Sequence, residues 1–329
     1  ATVDSFGRRS RRGDGNSALS DRNREGCVMT VRHLLNIVDL SVDELTLIGD
    51  LSDRSIDDLG RPLAGGGVAL IFEKPSNRTR QSMEMAVVQL GGHPVYTRGE
   101  EVGLDARESV EDVIQILEGY HAMVAARVFS HGVVERMAAL STVPVINMLS
   151  DWSHPLQALA DVRTMRHEFG ALSGRTVAWV GDYNNVARSL GEVCMISGMS
   201  VRFACPDGFQ PSTAECDRLS QLGPGEIAST DDPAEAVTGA DAVHTDTWVS
   251  MGQEDEVEER RNIFAAYSVT DALMSLAADG AIFMHCLPAY RDYEVAASVI
   301  DGPASRVIRQ GHDRMHAARG ALAFLGGVR

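Results

Sequence analysis

The chain has 329 residues, of which 44% are hydrophobic and 23% are charged, a composition typical of globular domains. Its formal net charge of −16 excludes a broad nucleic-acid-binding surface, and no run approaches the ~18 apolar residues of a membrane span. This length allows one large domain or two of medium size.

Residues 1–28 are rich in Arg, Ser, Gly and Asp and contain almost nothing apolar to bury. We interpret them as a disordered extension, or as sequence upstream of a natural start at Met29. A transit peptide is the alternative, but such peptides are poor in acidic residues and this segment contains Asp4, Asp14 and Asp21.

The five cysteines lie at positions 27, 194, 205, 216 and 286 and form no C-x-x-C pair and no metal-ligand spacing. An odd, scattered set in a chain of this length is typical of reduced thiols. We therefore expect a cytoplasmic protein with free thiols and without a metal site.

From Met29 onwards the first predicted elements are two helices, VRHLLNIVD at 31–39 and SVDELTLIGDLS at 41–52, the second with a capping box of Ser41 and Glu44. Apolar, β-branched runs then predict strands at 67–72, 121–128, 143–148, 175–181, 200–204, 241–246 and 281–287. Helical patterns between them include RQSMEMAVVQLG, SVEDVIQILEGY, HGVVERMAAL and DDPAEAVTGA.

The alternation of strands and helices predicts an α/β fold, and the continuous apolar strands predict parallel sheets covered on both faces. We expect two domains, 29–155 and 156–311, joined by the long helical stretch HPLQALADVRTMRHEFG, with a C-terminal helix at 312–327 packing back on the first. Ligands of such sheets bind at the carboxyl ends of the strands, so the cleft between the domains is the expected site.

The first predicted strand ends in FEKPSNRTR at 72–80, a concentration of positive charge in an acidic chain. The N–H groups at a helix start are unpaired and the helix dipole favours an anion there. Ser76, Asn77 and Thr79 add side-chain donors, and Arg78 can chelate two phosphate oxygens. The stretch predicts a phosphate site, with a capped helix and solvated arginines as the alternative.

Three further stretches accompany this one: HPLQ at 154–157, DTWVSMG at 246–252 and HCLPA at 285–289. Together, in this order, they resemble the ornithine carbamoyltransferase family from about residue 30 to the C-terminus. HCLPA and D-x-x-x-SMG are the specific motifs, whereas S-x-R-T-R and HP-x-Q are shared with aspartate carbamoyltransferases.

The resemblance implies transfer of the carbamoyl group of carbamoyl phosphate to the δ-amine of L-ornithine, as in arginine biosynthesis, without a metal or an organic cofactor. It also implies a homotrimer or an assembly of trimers, with active sites near subunit interfaces. The predicted domain 29–155 would bind carbamoyl phosphate, and 156–311 would bind ornithine.

The motif match implies site residues position by position. Those for carbamoyl phosphate are Ser76, Asn77, Arg78, Thr79, Arg127, His154, Gln157, Leu287 and Arg314. Those for ornithine are Asn185, Asp246, Ser250 and Met251, and the catalytic residues are Arg127, His154, Asp246 and Cys286. Arg127, Thr79 and His154 would stabilise the oxyanion, and Gln157 would contact the carbamoyl amide.

Each of these residue types also has an ordinary structural role. His154 can be a helix-start residue, Asn185 and Asp246 can be caps, and Cys286 can pack in a core. Whether Cys286 takes the amine proton or only orients the nitrogen stays open. In relatives the bond after Leu287 is cis, which would direct the Leu287 carbonyl into the site.

The chain departs from the family pattern at several positions. Asn77 replaces a threonine, Leu156 replaces a cysteine and is expected to pack, and Tyr290 and Arg188 stand where histidines are common. Gly103 occupies the position of a polar residue that reaches a neighbouring subunit's carbamoyl phosphate, which puts that contact in doubt.

Three other functions compete with this reading. One is a carbamoyltransferase for another amine, such as acetylornithine, putrescine or aspartate, and another is a catalytically weak paralogue that binds carbamoyl phosphate. The third is a nucleotide-dependent dehydrogenase, suggested by the strand-loop-helix TVAWVGDYNNVARSLG, which lacks the G-x-G-x-x-G of that class.

Overall fold

The structure, a computed structural model, describes residues 31–249 and 254–329. The predicted extension 1–28 lies outside the described residues, as do Ser250 and Met251 of the predicted ornithine site. Within the described part the chain forms two parallel sheets flanked by helices, which confirms the predicted α/β fold.

All paired strands in both sheets are parallel. The first sheet has the order β2-β1-β3-β4, with β1 at Gly67–Phe72, β2 at His93–Arg98, β3 at Met123–Arg127 and β4 at Val145–Leu149. The second has the order β7-β6-β5-β8-β9, with β5 at Thr176–Val180, β6 at Ser200–Ala204, β7 at Ile227–Thr230, β8 at Ala242–Thr245 and β9 at Ile282–His285. In each sheet the chain therefore reverses its direction of growth, which opens a crevice at the strand ends.

The helices cover both faces of the sheets. Those up to the start of the second sheet are α1 Val42–Asp53, α2 Ile56–Leu59, α3 Asn77–Gln89, α4 Gly99–Val102, α5 Val110–Leu117, α6 His131–Leu140 and α7 Pro155–Phe169. Those that follow are α8 Asn185–Ile196, α9 Thr213–Ser220, α10 Pro233–Val237, α11 Val257–Phe264, α12 Asp271–Met274, α13 Ala297–Ile300 and α14 Val307–Leu325. No helix in the described ranges combines the length and the apolar character that crossing a membrane requires.

The start of the described chain differs from the prediction. Helix α1 has the predicted capping box, in which Ser41 Oγ accepts from the Glu44 N–H at 3.2 Å and Glu44 Oε2 accepts from the Ser41 N–H at 2.9 Å. The helix predicted at 31–39 is wrong apart from one 3₁₀ turn at Ile37–Asp39. Leu34 instead exchanges backbone hydrogen bonds with β4, because that edge strand has N–H and C=O groups left to pair.

Helix α14 returns from the second sheet to the helices of the first. It packs against α1, α3 and α7 and begins at Val307, five residues before the predicted start. The added first turn is held in place because Gln310 Oε1 accepts a hydrogen bond from the His285 N–H at 2.9 Å. Thr164 of α7 donates to Asp313 at 2.8 Å, so α7 and α14 are joined by buried polar contacts.

One cluster of buried apolar side chains runs through both sheets. It includes Leu70 of β1, Leu159 of α7 and Trp179 of β5, all at most 5% exposed. Burying a side chain of this size contributes about 1.5–3 kcal/mol to the stability of the fold, so the packing of Leu159 fixes α7 against this core. The residues at its first turn, which face the crevice, are positioned by that packing.

Candidate active site

The predicted site residues follow the carboxyl ends of strands in both sheets. In the first sheet β1 leads into the Ser76 segment, β3 ends at Arg127, and β4 leads to His154. In the second sheet β8 is followed by Asp246 and β9 by Cys286. Parallel strands bring such ends to one edge of a sheet, so the topology gathers residues that are far apart in sequence.

Thr79 is the centre of the cationic half of the site. Its hydroxyl oxygen accepts from Arg127 Nη1 at 3.5 Å, from Arg314 Nη2 at 3.4 Å and from Ser76 Oγ at 3.1 Å. Ser76 caps α3 by accepting from the Thr79 N–H at 3.4 Å. Residues from β3, α3 and α14 therefore converge on one point at the start of α3.

The two guanidinium groups at this point are buried and incompletely paired. Arg127 is 7% exposed and Arg314 is 5% exposed. Burial, followed for Arg314 by the charge of Arg127, lowers the pKa of each to about 10. Arg127 Nε and Arg314 Nη1 have no hydrogen-bond partner among the described residues. Unpaired buried donors of like charge are costly, so the arrangement fits an anion that would accept from both.

Arg78 and Asn77 lie at the exposed start of α3. The positive charge of Arg78 acts toward a lower pKa at both Arg127 and Cys286, although at Cys286 burial and Asp246 outweigh it, so Arg78 lies at the same end of the crevice. The side chains at this helix start can therefore complete an anion site whose deeper half is made by Arg127 and Arg314.

His154 is buried just before α7. Burial, and then the charges of Arg314 and Arg127, lower its pKa well below the usual value, so the imidazole is neutral at physiological pH. Its backbone N–H donates to Ser189 Oγ at 2.9 Å, and its Nδ1 has no partner among the described residues. A neutral imidazole with a free ring nitrogen can hydrogen-bond to a ligand without adding charge to the site.

Gln157 lies one turn further along α7. Its Nε2 donates to Asp161 Oδ1 at 2.8 Å, and the same oxygen accepts from Gln310 Nε2 at 2.7 Å. The side chain of Leu156, between the two site residues, is buried at 1% exposure, as predicted. The contact to Asp161 leaves Gln157 Oε1 as the acceptor that a ligand N–H group can use.

Asp246 is the centre of the acidic half of the site. Its Oδ1 accepts from the Thr247 N–H at 2.8 Å and from the Cys286 thiol at 3.0 Å, and its Oδ2 accepts from Asn184 Nδ2 at 3.1 Å. Sequence reasoning did not select Asn184. The sequence offered Asn185 as a possible helix cap, whereas in the structure Asn184 caps α8 and Asn185 is its first residue.

The thiol of Cys286 acts as a donor in this arrangement. Burial, and then the neighbouring Asp246 carboxylate, raise its pKa well above the usual value, so the group is protonated at physiological pH. A protonated thiol cannot accept a further proton. Its geometry suits orientation of a ligand nitrogen better than general-base catalysis.

The HCLPA segment follows β9 and has two unusual backbone features. Leu287 has φ 59°, and the Leu287–Pro288 bond is cis. The Leu287 N–H donates to His285 Nδ1 at 2.9 Å, which leaves the proton of the ring on Nε2, 3.3 Å from Glu294 Oε1. The buried pair of His285 and Glu294 therefore supports the loop that carries Cys286 and Leu287.

Helix α8 holds the loop before His154. Asn185 Nδ2 donates to the Ser150 carbonyl at 2.7 Å, and the Arg188 guanidinium lies 3.6 Å from the centre of the Trp152 ring. The amide nitrogen of Asn185, a residue predicted to bind ornithine, thus joins the segment after β5 to the segment after β4. Arg188, at a position where histidine was expected, contributes a cation–π contact to the same segment.

Gly103 ends helix α4 with a left-handed φ of 62°. A Cβ atom at this position would lie 2.8 Å from Cβ of Arg107, closer than carbon atoms approach without a shift. The local backbone therefore favours glycine, and this position has no side chain for the contact to a neighbouring subunit that the family resemblance implies.

A cation could find ligands in the acidic half of the site. Asp246, His285 and Cys286 each place one ligand atom within 4.8 Å of the others. However, both ring nitrogens of His285 lie within bonding distance of other groups, and the Cys286 thiol is protonated. Binding a metal here would require these contacts to break and the thiol to ionise.

Both halves of the chain match models of one protein family. Residues 32–167 match the carbamoyl-P binding domain of aspartate/ornithine carbamoyltransferase, and residues 173–325 match the Asp/Orn binding domain. The boundary between the matches falls just after α7, where the chain leaves the first sheet for the second.

Individual relatives are similar over almost their full length. The ornithine carbamoyltransferase of Parafrankia sp. is 43% identical over 306 residues, which are 90% of this chain and 96% of the relative. That of Hyperthermus butylicus is 45% identical over 305 residues, covering 89% of this chain and 97% of the relative.

Solved structures show the same fold. The ornithine carbamoyltransferase from Pyrococcus furiosus superposes with a TM-score of 0.86 at 40% identity, covering 91% of this chain and 99% of that one. A mutant N-acetyl-L-ornithine transcarbamylase complexed with PALAO gives 0.81 at 28% identity, covering 89% and 99%. This chain is thus more similar in sequence to the first enzyme than to the second.

Proposed function

Because the chain belongs to the aspartate/ornithine carbamoyltransferase family, we propose that it transfers the carbamoyl group of carbamoyl phosphate to the δ-amine of L-ornithine. The products are L-citrulline and phosphate. Relatives at 43 and 45% identity with nearly complete coverage carry the name ornithine carbamoyltransferase, which favours free ornithine over acetylornithine, putrescine or aspartate.

One observation carries the proposal. Arg127 and Arg314 form a buried cationic pair with unpaired donors, and both interact electrostatically with Cys286, whose protonated thiol donates to the Asp246 carboxylate. A doubly charged acyl phosphate would satisfy the first group, and an ammonium or amine would satisfy the second. A site that binds an anion beside an amine matches the two substrates of carbamoyl transfer.

In this proposal the phosphate is bound by Ser76, Asn77, Arg78 and Thr79 at the start of α3, together with Arg314. Thr79 and Arg127 are in contact, so one ligand can bridge the helix start and the end of β3. The positive charges and N–H groups there stabilise the negative charge that grows on the phosphate as the C–O bond breaks, which makes it a better leaving group.

The carbamoyl carbonyl lies toward Arg127, Thr79 and His154 in this proposal. When the amine adds, negative charge grows on the carbonyl oxygen, and these three donors stabilise it. Losing one such donor typically lowers the rate by about 10²–10³-fold. His154 can donate as a neutral ring because its pKa is depressed, while Gln157 Oε1 accepts from the carbamoyl N–H.

Ornithine is assigned to Asp246, whose carboxylate binds the α-ammonium group, and to Asn185, with Ser250 and Met251 as further proposed contacts. The δ-amine must be neutral to attack, since an ammonium has no lone pair. Its lone pair forms the new C–N bond, the C–O bond to phosphate breaks, and the phosphate leaves with the electrons of that bond. One amine proton passes to an oxygen of the departing phosphate, which is the base that the substrate itself supplies. The Cys286 thiol and the Leu287 carbonyl orient the nitrogen, because the protonated thiol cannot take that proton.

A product assay tests this function. Purified protein is incubated with carbamoyl phosphate and, separately, L-ornithine, N-acetyl-L-ornithine, putrescine or L-aspartate, and the ureido product and released phosphate are both measured. Of these four amines, we expect only L-ornithine to give a ureido product. A preference for another amine would replace the substrate assignment, and tight binding of a bisubstrate analogue without any product would identify a weak paralogue.

We further propose that the protein acts in arginine biosynthesis, in the cytoplasm, as a homotrimer or an assembly of trimers. The described cysteines are all free thiols, which suits a reducing compartment. With a chain mass of 35.5 kDa, a trimer would have about three times this mass. Light scattering coupled to gel filtration tests the assembly, and rescue of an arginine auxotroph tests the pathway.

A further inference from the structure

Asn184 lies in the turn between β5 and α8 and uses both ends of its side-chain amide. Its Oδ1 accepts from the N–H groups of Val186 at 2.9 Å and Ala187 at 3.0 Å, which makes it the N-cap of α8. Its Nδ2 donates to Asp246 Oδ2 at 3.1 Å. Because the oxygen is fixed by two backbone donors, the nitrogen must face Asp246, and the amide cannot flip without losing the cap.

The carboxylate of Asp246 is held from two sides. Oδ1 accepts from the Thr247 N–H and the Cys286 thiol, whereas the sole side-chain donor to Oδ2 in the described part of the chain is Asn184. A carboxylate has about four lone-pair sites, so three donors leave one site, on Oδ2, for a ligand. The orientation of the free lone pair on Oδ2 depends on Asn184, since the other two donors contact only Oδ1.

We propose that Asn184 is a positioning residue for L-ornithine, which orients the Asp246 carboxylate so that Oδ2 receives the α-ammonium group of the substrate. This inference rests on the proposed function, in which Asp246 binds that ammonium. Asn184 does not need to touch the substrate. Its effect is on ornithine binding and leaves the carbamoyl phosphate half of the site, built on α3, β3 and α14, unchanged.

The alternative is that Asn184 only caps α8, and Asn184→Ser separates the two roles. Serine caps helices about as well as asparagine, but its hydroxyl is one atom shorter than the amide and cannot cap and also reach Asp246. We expect the KM for L-ornithine to rise about ten-fold, as for loss of a hydrogen bond to a charged group. We expect kcat and the KM for carbamoyl phosphate to stay within about two-fold, because the interaction exists before and during the reaction.

Asn184→Asp is the second variant. It keeps the size and the cap but turns a carboxylate oxygen toward Asp246, so the KM for ornithine should rise further than in Asn184→Ser. Thermal unfolding of Asn184→Ser should stay close to that of the wild type because the cap is kept, whereas Asn184→Asp should unfold at a lower temperature because its carboxylate faces that of Asp246. If Asn184→Ser folds poorly, the isosteric Asn184→Asp supplies the same test. A wild-type KM for ornithine in the variant that folds would overturn the proposal and leave Asn184 as a cap.

Binding of L-norvaline distinguishes this inference from the proposed function. Norvaline has the α-ammonium and α-carboxylate of ornithine but no δ-amine, so its calorimetric Kd reports on the α-ammonium site without turnover. We expect Asn184→Ser to bind it about ten-fold more weakly than the wild type, with carbamoyl phosphate present. Equal affinity would overturn the positioning role. Absence of citrulline formation by the wild type would instead refute the proposed function.

Discussion

Arg127 and Arg314 share one acceptor, the hydroxyl oxygen of Thr79, at 3.5 and 3.4 Å. Burial lowers the pKa of both groups to about 10, and the charge of Arg127 adds to the shift at Arg314. Keeping both groups protonated therefore destabilises the folded protein at every pH below about 10. A neutral hydroxyl cannot offset two charges. The free protein therefore holds a destabilised cationic pair that a bound anion would relieve.

Replacing Arg314 by glutamine should therefore weaken binding of carbamoyl phosphate without lowering the stability of the free protein. We expect the free variant to be as stable as the wild type or more stable, because one unpaired buried charge is gone. Carbamoyl phosphate at 100 times its Kd should stabilise the wild type by about 2.7 kcal/mol, and the same concentration should stabilise the variant much less. Thermal unfolding with and without the ligand measures both effects.

Arg309→Gln is the matched control for this prediction. Arg309 lies on the same helix, is half-exposed, and already pairs with Asp313 at 3.2 Å. Its loss should leave the stabilisation by carbamoyl phosphate unchanged. A strong destabilisation of the free Arg314→Gln protein would show that the cation is compensated in the folded state and would contradict the argument.

The thiol of Cys286 should be slow to react with iodoacetamide at pH 8. Its pKa is raised, so the thiolate, which is the reactive form, becomes abundant only well above pH 9. Asp246→Asn removes the second cause of that shift and the acceptor charge, while burial remains. We expect alkylation of the Cys286 peptide, followed by mass spectrometry, to become several-fold faster in that variant.

Free cysteine at the same pH gives the reference rate, and Cys286→Ser confirms the identity of the labelled peptide. Alkylation of the wild type as fast as free cysteine would mean that Cys286 is a thiolate. The role of the side chain would then return to that of a base.

The buried pair of His285 and Glu294 should contribute measurably to the stability of the folded protein. Glu294 Oε1 accepts from the Tyr290 N–H at 2.5 Å and faces His285 Nε2 at 3.3 Å. Glu294→Ala leaves two donors without a partner, the buried His285 ring and the part-buried Tyr290 N–H, and an unpaired buried donor costs about 1–3 kcal/mol. Urea unfolding should show this loss, and kcat should fall because the loop with Cys286 and Leu287 loses its support.

Glu294→Gln is the control because its amide oxygen can accept from the same two donors. It should therefore retain most of the stability and activity. If the alanine and glutamine variants behaved alike, the negative charge rather than the hydrogen bonds of Glu294 would be the important property.

The sequence predicted the sheet cores better than their edges. The seven strands with continuous apolar runs, from 67–72 to 281–287, all exist, with ends that match the prediction or are shifted by at most two residues. The strands β2 and β7 were missed, and both are edge strands with few buried side chains. A strand that packs little has little apolar pattern to read, and its place in the sheet is decided by neighbours that a single segment cannot reveal.

The site was predictable where a motif carried its chemistry, as in FEKPSNRTR and HCLPA. The roles of Asn184 and Asp161 were not predictable, because each acts by holding another side chain. Asn184 holds Asp246, which is 62 residues away in the sequence, and Asp161 holds Gln157. Likewise, Leu34 was assigned to a helix by its local pattern but pairs with the edge of β4. Interactions that join distant segments are the part that tertiary structure adds.

Two glycines on α14 should respond in opposite directions to alanine. A Cβ on Gly320 would lie 2.2 Å from Ser52 Oγ and 2.6 Å from the Ile48 carbonyl oxygen, where α14 crosses α1. Gly320→Ala should therefore force the helices apart at a cost of about 1–3 kcal/mol, the usual range for overpacking. Because α14 also carries Arg314, the KM for carbamoyl phosphate should rise in this variant.

Gly311, on the same helix, has no atom within 4 Å of its added Cβ, so Gly311→Ala should stabilise the protein by up to about 1 kcal/mol. Urea unfolding of both variants measures this contrast, and equal effects at the two positions would contradict close contact between α14 and α1.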